Sequence, residues 1–158
     1  MLISEEHRSN ETKKHIADPD YGGECIQYAE HISTMVNAMQ IDDVLDYGAG
    51  KGELHRHLAL DHEIALHLYD PAIKQIADSP EPHDLVLCIN VLEHVEEDSI
   101  QEVLDDLERC AKHNIFLVIK EDMPMEWWLP HVMKRFRIES LVRSDIDFFL
   151  IASKKNGN

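Results

Sequence analysis

Between Glu24 and Gln40 the apolar residues Ile26, Ala29, Ile32, Val36 and Met39 return at intervals of three or four, the period of a helix with one buried face. The pattern then shortens. "DDVLDYG" (42–48) reads as a buried strand running into a turn, and "KGELHRHLAL" (51–60) as a short helix with Leu54 and Leu58 on one side. "EIALHLYD" (63–70) is a second strand closed by Asp70-Pro71, and "DLVLCIN" (84–90) a third, apolar enough to be covered on both faces. In "DSIQEVLDDLERCAK" (98–112), Ile100, Val103, Leu104, Leu107, Cys110 and Ala111 form a helical stripe, and "NIFLVIK" (114–120) is another buried strand. "MPMEWWLPHVMKRF" (123–136) is helical in part, with Pro124 placed to open a helix and Pro130 expected to break or restart it. "RIESLVRS" (137–144) and "DFFLIASK" (147–154) suit an antiparallel pair. Strands alternating with helices predict a mostly parallel α/β sheet with helices on both faces and an antiparallel C-terminal edge hairpin. Residues 1–20 are polar and aperiodic and are expected to be a mobile segment; residues 21–154 then form a single domain, with 155–158 a tail.

Composition narrows the setting. A chain of 158 residues is long enough for one domain with a substantial core. Cys25, Cys88 and Cys110 lack metal-type spacing, and their odd number suits a reducing compartment. Neither a signal-peptide core nor an apolar run of membrane-spanning length is visible, so a soluble, cytoplasmic protein without membrane contact is expected. The formal net charge of −16 opposes a nucleic-acid backbone. The acidic run "EHVEEDSIQEVLDDLE" reads as the outer face of a surface helix.

The candidate chemistry begins in "VLDYGAGKGEL" (44–54), where Gly48, Gly50 and Gly52 follow Asp46 at alternate positions. A dinucleotide fingerprint requires its third glycine where this chain has Glu53, and a P-loop requires a hydroxyl residue after Gly50-Lys51 where this chain has Gly52. What remains is Asp-x-Gly-x-Gly-x-Gly after one strand and Asp70 at the end of the next. That arrangement resembles the class I S-adenosylmethionine (SAM)-dependent methyltransferases, in particular small stand-alone phage and bacterial types. The resemblance extends from about Tyr21 to Lys154, through "DYGGECIQYAEHI" (20–32) and "CINVLEHVEED" (88–98). It implies a Rossmann-like fold, SAM as cofactor and S-adenosylhomocysteine (SAH) as product, with no metal required. It places Asp46, Tyr47, Gly48, Ala49, Gly50 and Gly52 beneath the methionine portion, Asp70 and Pro71 at the ribose, and Tyr21 and Asn90 beside the cofactor. Glycine permits close backbone approach, and a carboxylate accepts from both ribose hydroxyls.

Two departures from the family pattern stand out, one on the adenine side and one on the substrate side. Only thirteen residues, three of them proline, separate Asp70 from Asp84, so the family's usual third strand is expected to be missing or vestigial, with "PAIKQIADSPEP" (71–82) covering the adenine. Only "EDMPME" lies between Lys120 and Trp127, where relatives carry a longer insertion.

His94, just past a strand end, is the candidate general base, against the alternative of a turn-closing histidine. Asn90 has the alternative of a structural cap. His55, His57, His62 and His67 invite a metal reading, but no Cys or Asp/Glu spacing completes a site and surface histidines are expected. Trp127 and Trp128 are divided between pocket wall and core, and Cys88 is expected to face the core. The signature motifs of amino-directed and cytosine-C5 DNA methyltransferases are absent, which with the charge disfavours DNA and favours a small-molecule acceptor methylated at oxygen or nitrogen. Two alternatives stay open: a catalytically silent SAM- or SAH-binding accessory protein, acting with a regulatory or oligomeric partner, and a SAM-using transferase of the polyamine-synthase kind.

Overall fold

The computed structural model describes residue 4 and residues 23–155. Six strands form one sheet in the order β2-β1-β3-β4-β6-β5: β1 (Asp43–Tyr47), β2 (Ala65–Tyr69), β3 (His83–Ile89), β4 (Ala111–Lys120), β5 (Phe136–Arg143) and β6 (Asp147–Lys154). The first four strands pair in parallel, whereas β6 runs antiparallel to both β4 and β5. The hairpin turns at Ser144, whose hydroxyl donates to Asp147 Oδ1 at 2.6 Å and accepts from the Asp147 backbone N–H. This is the mostly parallel α/β sheet with an antiparallel C-terminal edge that the alternation of elements predicts, and the Rossmann-like fold that the family resemblance implies.

Because β1, β3 and β4 are covered on both sides, their alternate residues feed two cores. On one face Val44, Leu85, Leu87, Phe116 and Val118 meet helix α1 (Ala29–Met39) through Ile32 and Val36. On the other, Leu45, Val86, Cys88, Ile115 and Leu117 meet helix α2 (Ile100–Cys110) through Val103, Leu104 and Leu107, together with Trp128 and Val132 of helix α3 (Met125–Met133). Of the predicted stripe, Ile100, Val103, Leu104, Leu107 and Cys110 are buried on α2, whereas Ala111 is extended and opens β4, so the helix ends at Cys110. Cys88 lies in the core, where burial pushes its thiol up, and Trp128 is buried while Trp127 is only partly so. Polar contacts add to the packing: on the α2 face Tyr47 donates to Asp106 Oδ2 at 2.7 Å, and on the α1 face Tyr28 donates to Asp147 on β6.

Several local expectations change. The first helix is α-helical only from Ala29; Gly23–Tyr28 winds as a 3-10 turn. The expected helix over 51–60 is reduced to a 3-10 turn at Leu54–His57, since Leu58 already returns to extended backbone. Two short apolar positions bury too little surface to hold a longer helix on the sheet. Pro130 does not break α3, which continues to Met133. The helix start is secured by Pro124 at the N-cap and by Glu121, whose Oε1 accepts from the Met125 N–H at 2.7 Å.

Residues 70–82 contain no strand, only a 3-10 turn at Lys74–Ile76, so the family's third strand is missing as expected and β2 is left as the sheet edge. Arg109 of α2 holds this segment, donating to the Pro80 carbonyl at 3.0 Å and to Ser79 Oγ at 3.3 Å. Among the described residues no helix is long and apolar enough to cross a membrane.

The two-sided core predicts its own sensitivity. Ile32 is fully buried on α1. Ile32→Ala should cost about 2–5 kcal/mol by removing buried methyl groups and leaving a cavity. Urea denaturation should show the midpoint falling accordingly; an unchanged midpoint would contradict the packing of α1 on the sheet.

Candidate active site

The site lies at the C-terminal ends of β1, β2 and β3. The chain leaves β1 to form β2 on one side, then crosses to β3 on the other, which makes the β1/β3 boundary the switch point where open α/β sheets bind ligands. Three loops meet there: the glycine turn after β1, Asp70 after β2, and the stretch from Asn90 to His94 after β3.

The glycine turn is a left-handed backbone path. Gly48, Gly50 and Gly52 have φ of +84°, +57° and +71°, a region closed to most side chains. Two of these glycines also make room for the protein's own chain. A Cβ on Gly48 would overlap Val91 Cγ2, and one on Gly52 would lie 2.9 Å from Leu68 Cδ1. The turn is bound to the end of β2 by the Gly48 and Ala49 N–H groups, which donate to the Tyr69 carbonyl at 2.7 and 3.0 Å. Asp70 completes the attachment: its Oδ2 accepts from the Gly50 N–H at 3.0 Å and its Oδ1 from the Ala72 N–H at 2.9 Å.

Asp46 and Asp70 are both buried. Burial, reinforced by the Asp70 charge, pushes the Asp46 carboxyl up to about 7. Tyr47 reaches away from the turn, its ring against Tyr69 at 4.8 Å and its hydroxyl on Asp106, so its side chain belongs to the core. Ala49 is buried, and Pro71 is half-buried beside Asp70. Tyr21 lies outside the described residues.

After β3, Asn90 takes the left-handed conformation at φ +55°, and its backbone N–H donates to the Val118 carbonyl at 2.9 Å. Its side-chain Oδ1 is buried without a hydrogen-bond partner. His94 ends the short 3-10 turn Leu92–His94 and is exposed. Between them is a residue that the sequence reading passed over. Both carboxylate oxygens of Glu93 are buried without a hydrogen bond, and burial pushes its carboxyl up to about 7. The backbone N–H groups of Glu93 and Lys120 oppose this shift but stand outside good hydrogen-bond geometry. Its neighbour His94 was the one hint in the sequence; the packing of this turn against the glycine loop is seen only in the structure.

A family profile described as a methyltransferase domain matches residues 9–143. The chain belongs to this methyltransferase family. The methyltransferase domain also shares its fold with solved structures of low sequence identity. The 1,6-didemethyltoxoflavin-N1-methyltransferase of Burkholderia thailandensis, solved with its substrate and SAH, superposes with a TM-score of 0.72 at 14% identity, over 94% of this chain and 87% of that one. The magnesium protoporphyrin IX methyltransferase of Synechocystis PCC 6803, solved with SAM, gives 0.67 at 16% identity, over 82% of this chain and 79% of that one. The N-methyltransferase NodS of Bradyrhizobium japonicum WM9, solved with SAH, gives 0.65 at 13% identity, over 95% of this chain and all (100%) of that one. No curated protein matches the chain by sequence.

The buried carboxyl of this methyltransferase domain has a measurable signature. A folded-state pKa raised to about 7 means that Glu93 holds its proton in the folded chain at pH values where the unfolded chain has released it. Its contribution to stability therefore falls as pH rises from about 4.5 to 7. Glu93→Gln removes that dependence, so the variant's melting temperature relative to wild type should be higher at pH 8 than at pH 4.5. An equal difference at both pH values would contradict the burial of an unpaired carboxyl.

Proposed function

We propose that this chain is a SAM-dependent methyltransferase acting on an oxygen or nitrogen of a small molecule in the cytoplasm. The observation that carries the reading is the buried, unpartnered Asn90 Oδ1 beside a left-handed glycine turn whose Gly50 N–H is held by Asp70, at the sheet's switch point. An acceptor oxygen buried without a donor is costly unless a ligand supplies one. The relatives crystallised with SAM or SAH share this fold and support the same cofactor here.

Bound SAM supplies a methyl group already activated on a sulfonium. The residues of this chain then bind, orient and exclude water. Asp46 and the backbone of Gly48 to Gly52, with Ala49, would hold the methionine end; Asp70 and Pro71 would hold the ribose; and Asn90 would contact the cofactor, as the resemblance also implies for Tyr21, which lies outside the described residues. Each Asp70 oxygen retains lone-pair capacity for a ribose hydroxyl while accepting its backbone N–H. The residue Tyr47 contributes through its backbone. His94 takes the proton from a hydroxyl or ammonium acceptor aligned with the methyl group.

The net charge of −16 and the fold of relatives that act on small molecules support a small acceptor over DNA. The free thiols of Cys88 and Cys110 suit a reducing compartment. One observation favours a second reading, that of a silent SAM-binding accessory protein working through a regulatory or oligomeric partner. Only residues 121–124 connect β4 to α3, which leaves little chain for an acceptor wall. Transfer of labelled methyl from SAM to a metabolite extract separates the two, since the accessory reading predicts cofactor binding with no labelled product.

Asp70→Ala should weaken SAH binding about tenfold or more, the loss of roughly 1–3 kcal/mol for charge-assisted hydrogen bonds. Calorimetry on a folded variant with unchanged affinity would rule out the ribose role. His94→Ala should slow methyl transfer to a hydroxyl acceptor by about 10²–10⁴ while leaving cofactor affinity nearly unchanged. Normal turnover by the folded variant would assign His94 to the turn alone.

A further inference from the structure

At the opposite end of the strands from the glycine turn, three side chains from three adjacent strands converge. Asp43 is the first residue of β1, His67 lies in the middle of β2, and His83 is the first residue of β3. Asp43 Oδ1 is 2.8 Å from His83 Nδ1 and 3.4 Å from His67 Nε2. The two imidazoles stack with centroids 4.1 Å apart, and one ligating atom from each of the three residues falls within 4.8 Å of the others. Among the described residues this is the only group of three His, Cys, Asp or Glu side chains so arranged.

We propose that Asp43, His67 and His83 form a binding site for a divalent transition metal of the zinc class, which clips the edge strand β2 to β1 and β3. Two imidazoles and one carboxylate are a donor set suited to Zn²⁺ or Co²⁺. Metal–ligand bonds of about 2.0–2.1 Å put tetrahedral ligand atoms roughly 3.3–3.4 Å apart. The Asp43–His67 separation already has that value, and the Asp43–His83 contact opens to it by a small rotation. Metal binding replaces the hydrogen bond between His83 and Asp43, the His83 proton residing on Nε2 so that Nδ1 presents its lone pair. Exposure differs along the cluster in a way that gives an ion both an anchor and an entry path: the His83 side chain is 11% exposed, Asp43 27% and His67 49%. Water fills the remaining coordination position.

The position gives the site a purpose. Without a third family strand, β2 pairs with β1 alone, and its pattern of exposure marks it as the least covered strand of the parallel sheet. A metal bridging β1, β2 and β3 supplies the lateral restraint that a further strand would otherwise give. His67 was visible in the sequence among four candidate histidines, but its partners stand 24 positions before and 16 after it, and only the sheet order brings them together. The site is remote from the methyl-transfer chemistry and does not depend on it.

The test uses the full chain without an affinity tag. Zn²⁺ titrated by calorimetry at pH 7.5 should bind at one equivalent, and saturating Zn²⁺ should raise the melting temperature. Co²⁺ at one equivalent should give the intense visible bands of a four-coordinate site. His67→Gln alters a half-exposed side chain and should leave the chain folded, and Asp43→Asn keeps the shape of the carboxylate. Each should weaken Zn²⁺ binding at least tenfold and abolish the Co²⁺ bands, while His55→Gln, outside the cluster, should change neither. Absence of stoichiometric binding by the wild type would overturn the proposal. So would binding and stabilisation that survive in both His67→Gln and Asp43→Asn, since the ion would then be held by other surface histidines.

Discussion

The carboxylate of Asp70 is the contact around which the site is assembled. A left-handed path through Gly48, Gly50 and Gly52 forgoes the side chains that would pack, and within it the Gly52 N–H donates to the Ala49 carbonyl at 2.9 Å. Most of its hydrogen bonds reach outside the turn, two N–H groups to the Tyr69 carbonyl and one to Asp70 Oδ2. The same carboxylate's other oxygen pins the Ala72 N–H and so directs the chain away from β2. Asp70 thus fixes two loops at once, and its charge, buried beside Asp46, raises the cost of ionising that neighbour. In the proposed ribose-binding role, these backbone donors would fix the carboxylate before any ligand hydroxyl arrives.

The third loop is coupled to the first by shape. Val91 occupies the space that a Gly48 side chain would need, so the glycine turn and the Asn90–His94 stretch pack as one unit. Leu68 does the same from β2 at Gly52. The alternating glycines therefore answer two demands. They allow left-handed backbone, and they admit neighbouring side chains at Gly48 and Gly52. Shortening of the fold falls elsewhere, at the edge beyond β2, where Arg109 holds an irregular segment instead of a strand.

Much of this was legible in the chain. Strands β1, β3 and β4 appeared as dense apolar runs because both their faces are covered, and the stripe of α2 was legible as far as Cys110 because its buried positions obey the helical period; Ala111 continues that spacing but opens β4. The absent third strand followed from chain length between Asp70 and Asp84. The helix over 51–60 did not follow, because Leu54 and Leu58 satisfy a helical spacing yet lack the third contact that would sustain it beyond His57. Pro130 misled in the other direction, since packing of Trp128 and Val132 holds α3 through it. Within the site, the glycine turn and Asp70 were recognisable as a motif. Glu93 was not, because burial of a carboxyl depends on what covers the turn, and a glutamate in an acidic run looks solvated. The grouping of Asp43 with His67 and His83 was invisible for a related reason: it exists only in the sheet order.

In the proposed function an adenosyl sulfonium or its thioether product binds against the glycine turn, Asp70 and Asn90. The most direct measurement of that binding is a titration of the ¹⁵N-labelled chain with SAH, followed by amide NMR, with NAD as the comparison ligand. Saturable shifts centred on Gly48, Gly50, Asp70 and Asn90 are expected with SAH, and none there with NAD. Shifts confined to other regions with SAH, or an equal response of these amides to NAD, would contradict it.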